Sequence, residues 1–392
     1  MANDDEGMQM EAPKSGCNRV GSYSYEPNGF KFGDAPFSYS ETKIPTRNLW
    51  QRNFLIQTDF RTFYPNGILF VAPGTKEKQK HYIMLTLRDG MLTLIIRGRK
   101  KQSLHLPVKV NDGQWHRVQL VTFNRTATLS VTLQHKNTHA QQMKIPKKLN
   151  ASNKLFVGGL PDEAMHLPSE LVSKLEGFKG CLRKFSVNNV TQDLAKVNSH
   201  KNVGQCFPRV EKGSYFPGDA YGIYKRNFNV GRVLELQLEY KTSELNGILL
   251  SVSDRDGFPA LSLEMNNGNI VFSTDMGDGI PLRATKSMDS KYALCNNKWH
   301  TVYALYDSEQ IFVRVDNLTS VYDVTPNRGN KIQTKSPLYI GGIPEQASQG
   351  TLLSRENFKG CINNVVIRGD LKDWTDYDHL HNILLNECPA TQ

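Results

Sequence analysis

A chain of 392 residues with 39% hydrophobic and 22% charged residues is long for one core and sufficient for two domains. It has no apolar run of about eighteen residues, which excludes a membrane-spanning helix. The formal net charge of +10 is unevenly spread: Lys and Arg stand against Asp and Glu as 2 to 5 over residues 1–30, 27 to 11 over 31–206, and 19 to 22 over 207–392. A block as basic as 31–206 repels itself, so its charge points to a polyanionic partner rather than to stability.

Residues 1–20 read as a loose leader carrying Cys17. Met1 to Lys14 is polar and acidic with no apolar h-region, so it is not a signal peptide; a secreted chain would carry its signal outside this sequence, as part of something longer. A first domain is expected over 21–206 and a second over 207–392. The first clear strand is Phe54 to Phe60. Tyr64-Pro65-Asn66-Gly67-Ile68-Leu69-Phe70 follows, and Asn-Gly between apolar runs predicts a hairpin turn. Next, Ile83, Leu85 and Leu87 alternate, Asp89-Gly90 turns, and Leu92, Leu94 and Ile96 return. Period two over both arms predicts half-buried antiparallel strands. Only Pro168–Leu175 is expected to make a helical turn.

The second half rewrites the first. Asn246-Gly247 and Asn267-Gly268 repeat the turns. Trp115-His116 returns as Trp299-His300, and Val157-Gly158-Gly159 as Ile340-Gly341-Gly342-Ile343-Pro344. Phe178-Lys179-Gly180-Cys181 returns as Phe358-Lys359-Gly360-Cys361, 180 residues later. Many short strands with turn signals predict an all-β fold of two tandem jelly-roll (concanavalin-like) β-sandwiches. The repeat also pairs Cys181 with Cys206 and Cys361 with Cys388, each closure contributing about 3 kcal/mol on the chain-entropy view. Cys17 and Cys295 then either pair or stand as two free thiols. Paired cysteines together with the sequons at Asn124, Asn150, Asn189 and Asn317 favour an oxidising, extracytoplasmic home.

Trp-His within a strand, then Val-Gly-Gly or Ile-Gly-Gly-x-Pro, then Phe-Lys-Gly-Cys with a trailing cysteine, resembles the laminin G-like domain. Two such domains with an extra N-terminal cysteine, and no epidermal-growth-factor-like cysteine cluster between them, are similar to the fourth and fifth G-like modules that end a laminin α chain. The resemblance spans about residues 20–390. It implies a secreted basement-membrane adhesion module, a Cys17–Cys295 bridge that clamps the pair, and partners such as heparan sulphate or heparin, sulphatide and dystroglycan.

The resemblance also implies one Ca²⁺ at the sandwich rim, held by two aspartates and two carbonyls. In the first domain those aspartate positions fall at Lys80-His81 and near Asn150, so no ion is expected there. In the second they fall at Asp254 or Asp256 and near Gln333, leaving calcium as a possible cofactor of that domain alone. This departure puts calcium-dependent binding of a dystroglycan-type glycan in doubt.

No nucleophile elbow, zinc-protease motif or phosphate-binding glycine loop is present. His116 and His300 read as structural positions, and Asp254 with Asp256 is the sole carboxylate pair suggestive of a glycosidase. An enzyme is therefore not expected. Nor is a nucleic-acid binder, because aromatic-interleaved RNA motifs are missing. What stands out is three cationic stretches: Lys76, Lys78 and Lys80; Arg97, Arg99, Lys100 and Lys101; and Lys144, Lys147 and Lys148. Alternation along a strand would align Lys76, Lys78 and Lys80 on one face, and likewise Arg97 and Arg99. Sulphate oxygens accept charge-assisted hydrogen bonds from such groups. The sequence-level alternatives to glycan binding are a calcium-dependent receptor ligand and a spacer with no ligand.

Overall fold

The computed structural model describes residues 16–17, 23–44, 53–75, 78, 80–134, 137–162, 176–197, 199–307, 310–318, 321–324, 332–347 and 350–390. Lys76 and the expected helical turn at 168–175 lie outside them. The chain divides into two compact units. The first sandwich comprises Tyr23–Gly213 with Leu384–Gln392; the second comprises Met1–Ser22 with Ser214–Ile383.

The first sandwich is built from β1 (Gly29–Phe32), β2 (Tyr39–Lys43), β3 (Phe54–Arg61), β4 (Gly67–Pro73), β5 (Tyr82–Arg88), β6 (Met91–Arg97), β7 (Lys101–Lys109), β8 (His116–Phe123), β9 (Thr126–Thr132), β10 (Thr138–Lys144), β11 (Lys154–Val157), β12 (Gly180–Val187), β13 (Val190–Thr191), β14 (Ser199–Lys201) and β15 (Gly204–Gln205). One sheet runs β10-β9-β8-β3-β12-β1-β15, with β13 beside β12; the other runs β14-β2-β11-β4-β5-β6-β7. Phe60, Phe70, Leu85, Leu94, Leu129, Phe178 and Phe185 fill the space between them. Each such side chain contributes about 1.5–3 kcal/mol by leaving water.

The β5–β6 hairpin turns at Asp89 and Gly90, both at positive φ (52° and 80°), as a two-residue primed turn requires. Its strands are not half-buried, however: every residue of β5 but Arg88 is buried. The outward set Tyr82, Met84 and Ile95 joins Ile68 and Val71 in a second small cluster against Phe156 and Leu160. Period two marks the two faces but does not say that one is wet.

Asn66-Gly67 is not a hairpin turn. β3 lies in one sheet and β4 in the other, so the pair makes a crossover. Gly67 is required because a Cβ there would lie 2.9 Å from the Phe178 backbone, and Asn66 Oδ1 accepts the Asp89 N–H at 3.1 Å. Asn-Gly here answers to close approach, not to chain reversal.

Phe-Lys-Gly-Cys does the same work twice. A Cβ on Gly180 would fall 2.3 Å from the Arg61 carbonyl, and one on Gly360 would fall 2.3 Å from that of Lys241. The Lys179 carbonyl accepts from the Thr62 hydroxyl and the Lys359 carbonyl from that of Thr242, each at 2.6 Å. Phe178 and Phe358 are fully buried. The motif is a backbone-on-backbone contact with an aromatic anchor.

β16 (Val210–Glu211) completes the first unit's own strands up to Gly213. The second sandwich then follows with β17 (Ser214–Pro217), β18 (Tyr221–Phe228), β19 (Leu234–Thr242), β20 (Gly247–Ser253), β21 (Ala260–Asn266), β22 (Asn269–Asp275), β23 (Leu282–Lys286), β24 (His300–Tyr306), β25 (Gln310–Val315), β26 (Val321–Val324), β27 (Ser336–Ile340), β28 (Lys359–Ile367), β29 (Asp370–Leu371) and β30 (His379–His381). Its sheets run β17-β28-β19-β24-β25-β26, with β29 beside β28, and β23-β22-β21-β20-β27-β18-β30. Polar side chains are buried on β21. Ser262 Oγ lies 2.7 Å from Thr351 Oγ1, and Glu264 accepts the N–H groups of Leu353 and Ser354.

The tail belongs to the first sandwich. β31 (Cys388–Pro389) pairs with β16, and Leu385 donates its N–H to Asp34 while accepting from Lys31 Nζ at 2.8 Å. Cys17 is bonded to Cys295 and Cys181 to Cys206. Cys361 and Cys388 are also disulfide-bonded, and no cysteine is free.

Candidate functional site

The described cationic residues gather on one rim of the first sandwich. β5 and β6 register Tyr82 against Arg97, so the stretch ending at Lys80-His81 reaches the sheet beside the end of β6. β6 and β7 register Arg97 against Lys101, with Arg99 and Lys100 in the turn between them. β10 ends at Lys144, and the segment after it folds back over that turn: a Cβ on Gly98 would lie 3.5 Å from Pro146. Lys147 and Lys148 follow in a turn closed by the Leu149 N–H on the Pro146 carbonyl. Lys78, Lys80, Arg99, Lys100, Lys101, Lys144, Lys147 and Lys148 are exposed, and Arg97 is half-buried.

Strand alternation is not what aligns them. The Lys78 N–H bonds the Thr75 carbonyl and the His81 N–H bonds that of Lys78. Lys78 and Lys80 therefore lie in consecutive turns, and Arg99 sits beyond the end of β6. At Lys78 and His81 the backbone N–H groups bond to carbonyls three residues back rather than to a neighbouring strand.

Asn150 ties the loops together. Its carbonyl accepts the Thr75 N–H at 3.2 Å, and its N–H donates to His81 Nδ1 at 3.1 Å. Burial, aided by the nearby Lys78 charge, holds the His81 pKa below its ordinary value; a ring that accepts at Nδ1 must be neutral. The two places where the family resemblance expects aspartates thus carry a histidine and an asparagine joined directly to each other.

In the second sandwich Asp254 Oδ1 already accepts from Ser336 Oγ at 2.8 Å, while Asp256 and Gln333 are exposed. Among the described residues no group of three or more His, Cys, Asp or Glu side chains is placed to hold a metal ion. The donor set fits a rim calcium poorly in both sandwiches. His116 bonds Asp112 at 2.8 Å, and His300 bonds both Asp316 and Asn296. Each orders the turns around its strand.

One cation on this rim is hidden within a glycosylation motif. Arg125 is exposed at the β8–β9 turn, and its carbonyl accepts the Ile145 N–H at 2.8 Å. Lys144 Nζ reaches the Thr126 hydroxyl at 3.1 Å, so the Asn124 sequon adjoins the basic rim as well. Asn189 is exposed at the β12–β13 turn, and Asn317 is exposed just after β25.

The Laminin G domain family matches residues 60–193 and again residues 241–370. Laminin subunit alpha-1 of Mus musculus is 26% identical over 349 residues, covering 87% of this chain and 11% of the relative. Laminin subunit alpha of Drosophila melanogaster is 27% identical over 86% of this chain and 9% of the relative. The chain therefore spans about a tenth of the length of these relatives. A solved structure of the mouse laminin alpha1 chain, domains LG4-5, is 25% identical with a TM-score of 0.80, covering 97% of this chain and 99% of that one. With both matches lying in order on the two sandwiches, the chain belongs to the laminin G domain family and carries two of its domains in tandem.

Proposed function

We propose that this chain is a non-enzymatic adhesion module of the extracellular matrix. It binds sulphated polyanions, of the heparan sulphate, heparin or sulphatide head-group type, through the basic rim of its first sandwich. The observation that carries the reading is the packing of Gly98 on Pro146. It makes one surface of two cationic stretches that lie more than forty residues apart in sequence. Arg97, Arg99, Lys100 and Lys101 then face the same ligand as Lys144, Lys147 and Lys148, with Lys78, Lys80 and Arg125 at the margins. Flexible Lys and Arg on turns held by a rigid sandwich suit a polymer whose sulphates are irregularly spaced. Each contact is weak and screened, so affinity comes from several made together. Disulfide-bonded cysteines support an extracellular location, and similarity to laminin α chains supports a basement-membrane setting with cell-surface receptors as further partners.

The test is the full chain on immobilised heparin. Wild-type protein should be retained and should elute with moderate salt, as screened contacts require. Neutralising Arg97, Arg99, Lys100 and Lys101 together should abolish retention. Unchanged retention of that variant would place the site elsewhere.

A further inference from the structure

The outward face of the second sandwich holds a shallow polar groove beside a glycosylation motif. β19, β24 and β25 register Gln237, Tyr303 and Arg314 in one cross-strand row. The flanking inward residues Leu236, Leu238, Val302, Ala304, Val313 and Val315 are buried, so this row points outward. The Arg314 guanidinium lies 5.3 Å from the centre of the Tyr303 ring, and Phe312 meets the same ring edge-on at 5.9 Å. With Thr301, Asp316 and Asn317 the row lines a cavity of about 290 Å³. Asp316 is fixed at its end, accepting the Thr301 N–H and the His300 ring, and the Leu318 N–H closes a turn onto the Val315 carbonyl. Asn317 leaves that turn exposed, at the mouth of the groove, as the first residue of Asn317-Leu318-Thr319.

We propose that Asn317 carries an N-linked glycan and that the groove is the seat of its first sugar. The ligand class follows from the lining. The Tyr303 ring, with the Arg314 guanidinium near it, offers an aromatic surface for the C–H face of a pyranose ring. Gln237 and Thr301 offer donors and acceptors for its hydroxyl and acetamido groups. The groove is polar and open, which suits a hydrated sugar better than an apolar ligand, and its one tethered candidate is a glycan on Asn317. In forming the linkage, the Asn317 amide nitrogen bonds to the anomeric carbon of a lipid-linked oligosaccharyl pyrophosphate. The carbon–oxygen bond to pyrophosphate breaks with its electron pair, and one amide proton is released. A seated glycan covers the outer face of β19, β24 and β25 and removes it from contact with other proteins.

The experiment uses the full chain secreted from eukaryotic cells. Glycopeptide mapping should find Asn317 occupied. Under native conditions a peptide N-glycosidase should release this glycan slowly, and the variant Tyr303→Ala/Arg314→Ala should accelerate release about tenfold, the factor that 1.4 kcal/mol of seating gives. Arg314 is exposed and Tyr303 half-buried, so an unchanged melting curve is needed to verify that the variant keeps its fold. Arg314→Lys, which keeps the charge but loses the planar guanidinium, should accelerate release nearly as much as the double variant. An unmodified Asn317 overturns the proposal, and so does a release rate that the variants leave unchanged.

Discussion

Arg61 and Glu387, 326 residues apart, form an ion pair of 3.2 Å in which both side chains are buried. Arg61 also donates to the carbonyls of Phe207 and Pro208 and lies over the Trp115 ring at 4.6 Å. Removing one member of a buried pair leaves the other uncompensated. Glu387→Ala should therefore destabilise the first sandwich by about 3 kcal/mol, and Glu387→Gln, which keeps an acceptor, by less. Thermal unfolding of the full chain measures this. Equal losses in the two variants would mean that charge compensation is not what Glu387 supplies.

His81 gives the rim a pH dependence with a definite sign. Burial and Lys78 lower its folded pKa. As pH falls through the ordinary histidine range, the unfolded chain takes up a proton that the folded chain refuses, so stability is lost on acidification. The loss begins near the unfolded value and stops once pH passes the lowered folded one. His81→Gln can still accept the Asn150 N–H but does not titrate. Denaturant unfolding between neutral and mildly acid pH should show the wild type losing stability faster than this variant.

The closing motif separates close approach from ordinary contact. Gly180→Ala sets a methyl against the Arg61 carbonyl and Gly360→Ala one against that of Lys241; each should cost about 2–4 kcal/mol through overpacking and backbone strain. Gly98→Ala meets Pro146 at 3.5 Å, an ordinary van der Waals distance, and should shift stability by no more than about 0.5 kcal/mol. Melting curves of the three variants check the order.

Retention on heparin should be the same with and without a calcium chelator, because the basic rim needs no metal and His81 and Asn150 join directly where a rim ion would require carboxylates. Titration calorimetry of the full chain with Ca²⁺ is the companion measurement. Chelator-sensitive retention would favour calcium-dependent glycan recognition instead.

Asn150 sits within the cationic rim, so a glycan there would compete for space with a bound polyanion. Protein secreted from eukaryotic cells should elute from heparin at higher salt when it carries Asn150→Gln. Bacterially produced protein, which lacks the glycan, should show no such difference.

The architecture was legible because the chain states it twice. Trp115-His116, Gly158-Gly159 and Phe178-Lys179-Gly180-Cys181 mark strands whose glycines are demanded by neighbouring backbone or rings, and such demands recur at the same place in each copy. The rim was legible as charge but not as geometry. Alternation suggests a strand for Lys78 and Lys80, but the N–H groups of Lys78 and His81 bond to carbonyls three residues back instead. Asn66-Gly67 carries the pattern of a turn, and the glycine's other use, making room for Phe178, depends on a residue more than a hundred positions away. Arg125 is concealed within a sequon, its place on the rim being set by a bond from Ile145. The partners of Arg61 and Lys31 in the tail leave no local pattern at all.

The tail has a further consequence for how such a module can be moved or divided. The first sandwich is not one contiguous stretch of chain: it closes only when Leu384–Gln392 returns to β16, Lys31 and Arg61. A single break after Gly213 would deprive it of a strand and of the carboxylate that neutralises a buried guanidinium. Recombination that moved residues 23–213 alone would carry off a first sandwich without its closing strand, so duplication or exchange must take the tail along with it.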